Sequence, residues 1–330
     1  MSGDDRVRLA RLTDGYVITQ LLHVAVALGV PEALAAGPRR IDDLAHEVGA
    51  VPDLLWRVAR GLAVEDVLEE LANGRFALTA MGELLRAATP GSLRGTVVAR
   101  GELYYGATAG LLDTVRRGGT PFEKVHGRPF FEHLAEDPDR LAAFSASMAD
   151  RSAHEAAAVA AAYDVSRWRS VVDVGGGTGA LLRAVRDQAP STDLVLLDRP
   201  EVVAGSELPS VAGDFFEAVP ADADAYFLSR VLHDWDDLDA VRILRTCRAA
   251  MRPDSVLILV EAILPERATE DPASIRMDLH MLVLLGGRER TMAEYDTLLE
   301  AAGLRRTAQA RTDAGVHVLE ARRTLQVPPS

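Results

Sequence analysis

Lysine is almost missing from this 330-residue chain: Lys124 stands alone among 36 basic residues, and Ala and Arg abound. That bias reflects GC-rich coding rather than function. Cysteine is as scarce. A single Cys247 excludes an internal disulfide and suits a reducing cytoplasm. Its neighbours at helical spacing, Val241, Leu244 and Met251, place it in a core rather than at a nucleophilic site. No apolar run approaches the roughly 18 residues of a membrane span, and the opening MSGDDRVRLARLTDGY is too charged for a signal peptide. The expectation is a cytoplasmic protein with no membrane partner. Positive charge is in deficit, at −13 net, so a nucleic acid would be repelled rather than bound. Internal repeats are absent, as is any clustered His/Cys/Asp set, and no metal is expected.

What is present is an ordinary globular composition, 48% hydrophobic and 26% charged, in a chain long enough for two domains. Leu21, Leu22, Val24, Ala25, Leu28 and Val30 follow helical spacing until Gly29 and Pro31 break it. "IDDLAHEVGAVPDLLWRVARGLA" predicts a short helix, a turn near Gly49, and a second helix opening at Pro52-Asp53. "VLEELANGRFALT" predicts a hairpin turning at Asn73-Gly74. Helix–turn–helix plus hairpin is a winged-helix pattern. Eleven arginines against thirteen acids through residue 100 argue against its reading DNA. Residues 101–165 are again helical, with breakers at 118–121 and 127–129. From Arg169, β-rich runs at 170–174, 193–198, 224–229, 255–260 and 315–322 alternate with helical stretches, the signature of a mainly parallel sheet. The expected domains are therefore 1–165 and 166–330.

"SVVDVGGGTGALLRAV" (170–185) is a buried strand, a glycine turn and a helix. Glycines let the backbone approach a ligand, and the helix N-terminus offers free amides. Gly175, Gly177 and Ala180 satisfy the dinucleotide pattern, with Asp198 23 residues beyond Gly175, where a ribose-binding acid belongs. The pattern alone does not separate NAD from another nucleoside cofactor. Asp173 helps to: a carboxylate at the loop's mouth would repel a pyrophosphate and would suit an ammonium. S-adenosylmethionine carries both an α-ammonium and ribose hydroxyls, matching Asp173 and Asp198. In "VAGDFFEAVP" (211–220), Asp214 is an acceptor for an adenine amino group, and Phe215 or Phe216 a surface for its ring. "FLSRVLHDWDD" (227–237) then runs an apolar strand into His233-Asp234-Trp235, residues that either cap the strand or meet a ligand.

In this order the three motifs resemble the S-adenosylmethionine-dependent small-molecule O-methyltransferases. That family includes the caffeate, isoflavone and acetylserotonin methyltransferases and bacterial tailoring enzymes of aromatic polyketides. The resemblance runs from about residue 15 to residue 322. It implies a Rossmann-like α/β class I methyltransferase domain behind a helical, winged-helix-like domain that makes a homodimer. It also implies roles for individual residues. Gly175, Gly176 and Gly177 would face the methionine end, Asp198 the ribose, and Asp214 and Phe215 the adenine; Arg230, with Ser229 beside it, would be a basic cofactor contact. His233 would be the catalytic base, oriented by Glu261 and Glu289. Met148, Met277 and Met281 would line the acceptor pocket, with Arg11 reaching an acidic acceptor in the partner subunit.

The sequence departs from the family in three places. Only 15 residues separate Asp198 from Asp214, so the crossover helix after "DRPEVV" must be short. Thr108 lies where bacterial relatives often carry a pocket tryptophan, and "LVLLGG" lacks a polar residue that plant members use. The activity so implied is methylation of a phenolic hydroxyl on a polyketide- or naphthoate-like aromatic, releasing S-adenosylhomocysteine. The nearest rival is a hydroxylase or cyclase on the same scaffold, against which His233 and both glutamates weigh. An NAD-dependent oxidoreductase would need a Tyr-x-x-x-Lys or similar set, which is absent. A winged-helix regulator would need a less acidic surface.

Overall fold

A computed structural model gives the fold of residues 3–324. It contains two compact units, one ending at Met148 and the other beginning at Ala149. The division falls inside the helix Pro138–Ala162, not near residue 165. The physical reason is that Ala156 and Val159, late in that helix, belong to the core of the second unit with Val165, Trp168, Val171 and Phe227.

The first unit is mostly helical. The helical spacing from Leu21 to Leu28 falls in the helix Gly15–Ala27, which Gly3–Thr13 precedes. Ile41–Glu47 and Pro52–Val64 are the predicted pair, the second opening on a proline whose missing N–H costs a helix start nothing. Strands β1 (Arg39–Arg40), β2 (Leu68–Leu71) and β3 (Arg75–Leu78) make a small antiparallel sheet in the order β1-β3-β2. Asn73 and Gly74, both left-handed, turn the hairpin. The start of the stretch expected to be helical, residues 100–117, is broken: a π segment at Arg100–Tyr104 is followed by short turns and the helix Leu111–Arg117. Gln20 Nε2 donates to the Gly101 carbonyl at 3.0 Å within that π segment. Its insertion supplies a cause for the irregular ladder.

The second unit is a seven-stranded sheet in the order β6-β5-β4-β7-β8-β10-β9. The strands are β4 (Ser170–Val174), β5 (Asp193–Asp198), β6 (Ser210–Ala212), β7 (Ala225–Ser229), β8 (Val256–Ala262), β9 (Leu304–Arg311) and β10 (Val316–Arg323). The first five run parallel, while β10 is antiparallel to both β8 and β9. β8 is buried at all seven positions, as a central strand covered on both faces must be. Cys247 lies fully buried in the core on one face of the sheet, as its spacing implied. The crossover after β5 is the four-residue helix Pro200–Val203, cut short as the 15-residue interval required. Among the described residues no helix is long and apolar enough to cross a membrane.

Parallel strands end on the same side of a sheet. The order reverses at β4, which makes the adjoining carboxyl ends a crevice for ligands. Asp173, Asp198, Asp214, Ser229-Arg230 and Glu261 all fall at or just beyond those ends.

Candidate active site

The segment after β7 turns at Arg230, a non-glycine residue at φ +56°, whose N–H donates to the Val260 carbonyl at 2.9 Å. A 3-10 turn, Leu232–Asp234, then carries His233, and Asp236 caps the helix Asp237–Ala250. Arg290 clamps this turn from inside the protein. Fully buried, it donates to the Leu232 carbonyl (2.8 Å) and the Trp235 carbonyl (2.8 Å), and pairs with Asp237. The Arg288 N–H donates to the His233 carbonyl at 2.8 Å. At Gly287 a Cβ would lie 2.1 Å from that same carbonyl oxygen, so no side chain fits. Gly287 and Arg290, which hold the turn that carries His233, were not singled out from the sequence. A paired glycine followed by arginine in an apolar context was the available signal.

His233 is 3% exposed. Its Nδ1 lies 2.9 Å from Glu289 Oε1, and its Nε2 lies 3.2 Å from Asp234 Oδ1. Burial works against the charge of Glu289, but hydrogen bonds and charges from His233 and Arg230 prevail and hold it at about 2. An ionised Glu289 can only accept, so Nδ1 carries the proton. Burial and Arg230 pull the imidazole down, while Asp234, Glu289 and Glu261 outweigh them and leave it above its ordinary value. Glu261 accepts from the Leu232 N–H at 2.9 Å and so holds the backbone beside the histidine. Burial pushes it up to about 7, against the charges of His233 and Arg230.

Arg230 lies among the same groups. Its guanidinium points into the acids, at 3.0 Å from Glu289, 3.6 Å from Glu261 and 3.9 Å from Glu155. His233, Glu261 and Glu289 bring donor atoms within 4.8 Å of one another, close enough for a three-donor metal set. The positive charge at that place is the guanidinium.

On the cofactor side, Gly175 (φ +69°) and Gly177 (φ +57°) form a loop that L side chains would strain. A Cβ on Gly176 would meet Asp173 Oδ2 at 2.3 Å and Leu196 at 2.5 Å. Asp198 holds this loop, accepting from the N–H groups of Gly177 (2.8 Å) and Arg199 (2.7 Å). Asp173 is fully buried, and among the described residues neither of its oxygens has a hydrogen-bond partner. A buried carboxyl left without a donor is costly unless a ligand completes it. An ammonium does so; a pyrophosphate cannot. Asp214 accepts from the Phe216 N–H at 2.8 Å. Phe215 lies beside Gly175, and both phenylalanines pack edge-on against Trp235. The residues present therefore fit S-adenosylmethionine.

Of the acceptor-side residues, Met281 is buried and Met277 half-buried on the helix Pro272–Leu284. Met277 Sδ lies 3.7 Å from an Arg151 nitrogen. Met148 is half-buried on the helix Pro138–Ala162, and Arg11 is exposed and paired with Glu65 at 2.6 Å.

A seven-stranded sheet of this order, with a glycine loop at its switch point and an unpaired acid behind it, defines an α/β enzyme that binds a nucleoside cofactor. Comparison with known proteins narrows the class. Residues 109–305 match the O-methyltransferase domain family, and residues 10–88 match the O-methyltransferase dimerisation domain. The phenazine O-methyltransferase of Lysobacter antibioticus is 40% identical over 326 residues, covering 95% of each chain. The solved mitomycin 7-O-methyltransferase superposes with a TM-score of 0.92 at 36% identity, covering 97% of this chain and 98% of that one. An O-methyltransferase from neocarzinostatin biosynthesis, solved with S-adenosylmethionine and 2-hydroxy-5-methyl naphthoic acid, gives 0.83 at 32% identity, with 93% and 96% covered. The chain belongs to this family of S-adenosylmethionine-dependent O-methyltransferases.

Proposed function

We propose that this enzyme methylates a phenolic hydroxyl of a polyketide- or naphthoate-like aromatic metabolite, with His233 as general base. The observation that carries the reading is the buried His233 whose Nδ1 is held at 2.9 Å by an ionised Glu289, leaving Nε2 as the proton acceptor. A phenol ionises near about 10 and an imidazole near about 6.5, so the hydroxyl needs help at neutral pH. Bound S-adenosylmethionine supplies an electrophilic methyl group on a sulfonium. His233 Nε2 would take the phenolic proton, and Glu289 and Asp234 would stabilise the resulting imidazolium. Asp173 answers the cofactor's ammonium, and Met277 and Met281, on one helix, give the acceptor an apolar surface.

The test is His233→Ala, assayed with labelled S-adenosylmethionine and a panel of hydroxylated aromatics. Turnover should fall about 10²-fold or more, cofactor binding by calorimetry should be kept, and raising the pH should recover part of the rate. Near-native turnover of the variant at pH 7 would make His233 a strand cap only.

The working form proposed is a homodimer. Val7, Leu9, Leu12, Tyr16, Leu112 and Val115 are each at least 60% exposed in the single chain, more apolar surface than a monomer leaves open. In that dimer Arg11 would exchange Glu65 for an acidic acceptor in the partner's pocket. Full activity in a species that light scattering shows to be monomeric would contradict this.

A further inference from the structure

Arg230 has partners that a cofactor contact would not need. We propose that Arg230 is a positioning residue for methyl transfer, its guanidinium fixing Glu289 on His233 Nδ1 so that Nε2 faces the acceptor. The inference rests on the reading of His233 as the base. Its ground is geometric. Nη1 lies 3.4 Å from Glu289 Oε2 and Nη2 lies 3.0 Å from Oε1, so the planar fork grips both oxygens of one carboxylate. Oε1 is also the atom that meets His233 Nδ1 at 2.9 Å. The carboxylate is thus fixed in its own plane, and the imidazole is aligned to it.

The backbone supports the same conclusion. A left-handed φ is unusual for an arginine, and it persists where the surroundings dictate it. Here the Arg230 N–H is tied to β8, which also carries Glu261. The charge count agrees. Three carboxylates lie within 4 Å of a guanidinium whose side chain is only 10% exposed. Without that cation, Glu289 and Glu261 would share a dry site with no neutralising partner except His233. One of them would then take up a proton. Glu261, already held up by burial, is the one that takes it, while a Glu289 released from the fork is free to turn off Nδ1, and the ring could then present its N–H to the acceptor instead of its lone pair.

The experiment compares Arg230→Met and Arg230→Lys with the native chain. It measures kcat, KM for S-adenosylmethionine, and S-adenosylhomocysteine affinity, and reads the His233 tautomer by ¹⁵N NMR. For Arg230→Met, kcat should fall on the order of 10²-fold while KM for the cofactor moves less than about twofold. Its His233 signal should change from one tautomer to a mixture. Arg230→Lys should recover part of the rate, since it restores charge without the fork. A cofactor KM raised about tenfold at native kcat would make Arg230 a cofactor contact and overturn the proposal. So would an unchanged kcat with an unchanged tautomer. If Arg230→Met does not fold, Arg230→Lys decides by the same two readings. Should the native chain methylate nothing, the proposed function fails instead, and the tautomer comparison still tests Arg230.

Discussion

Asp173 offers the most quantitative check. Burial, with the charge of Asp198 nearby, pushes its carboxyl up to about 7, against 3.8 for an ordinary aspartate. Between those values the native state keeps a proton that the unfolded chain has released. Native protein then binds more protons than unfolded, so stability falls as pH rises through that window and levels off above it. At about 1.36 kcal/mol per tenfold, the interval amounts to about 4 kcal/mol. For 330 residues unfolding together, that is roughly 6 °C in Tm. Glu261, also held up by burial, contributes a loss of the same sign, so the informative quantity is the difference between the native chain and Asp173→Asn. Asparagine does not ionise, and the variant should lose roughly 6 °C less than the native chain between pH 4 and pH 8. S-adenosylhomocysteine supplies an ammonium that favours the ionised carboxylate, so its protection of the native chain should grow with pH over the same window. In Asp173→Asn that growth should vanish, and affinity should drop. Thermal unfolding with and without S-adenosylhomocysteine, across pH, reads all of these. Parallel pH profiles for the two chains, with equal protection, would refute the reasoning.

Two further outcomes follow from the histidine's supports. Glu289→Gln replaces a charge-assisted bond worth about 1.5–3 kcal/mol, so kcat should fall roughly tenfold to 10²-fold. With Glu289 uncharged, burial and Arg230 pull His233 down less opposed, and the rising limb of kcat against pH should move to lower pH. A limb that stays or moves upward would contradict the assignment. Gly287→Ala puts a methyl 2.1 Å from the His233 carbonyl, which backbone cannot avoid without moving the turn. Turnover should fall about 10²-fold from misplacement alone, with a lower melting temperature, and native initial rates would refute the close approach.

The chain announces much of this architecture. Alternating β-rich and helical runs predicted five of the seven large-sheet strands, the four parallel ones because buried parallel strands are written in continuous apolar residues. β9 escaped because "LRRTAQAR" buries little beyond Leu304 and so has neither alternation nor an apolar run. The breaks in 100–117 are tertiary in origin: nothing local shows that Gln20 will bond Gly101. At the site, types and order were legible, since Asp173, the glycines and His233 stand at strand ends. Partners were not. Arg230 meeting Glu289, or Arg290 reaching the Leu232 carbonyl, depends on contacts 58 or more residues apart in sequence. No periodicity encodes those.

The large sheet ends on β6 at one side and β9 at the other, and each margin offers unpaired backbone groups to a passing strand. The two margins are guarded differently. β9 places exposed Arg305 and Arg311 along its length, so two such margins meeting would set like charges together. β6 has no charged residue, and all three of its residues are exposed. Its protection is brevity, since three residues give an intruding chain too few hydrogen bonds to hold.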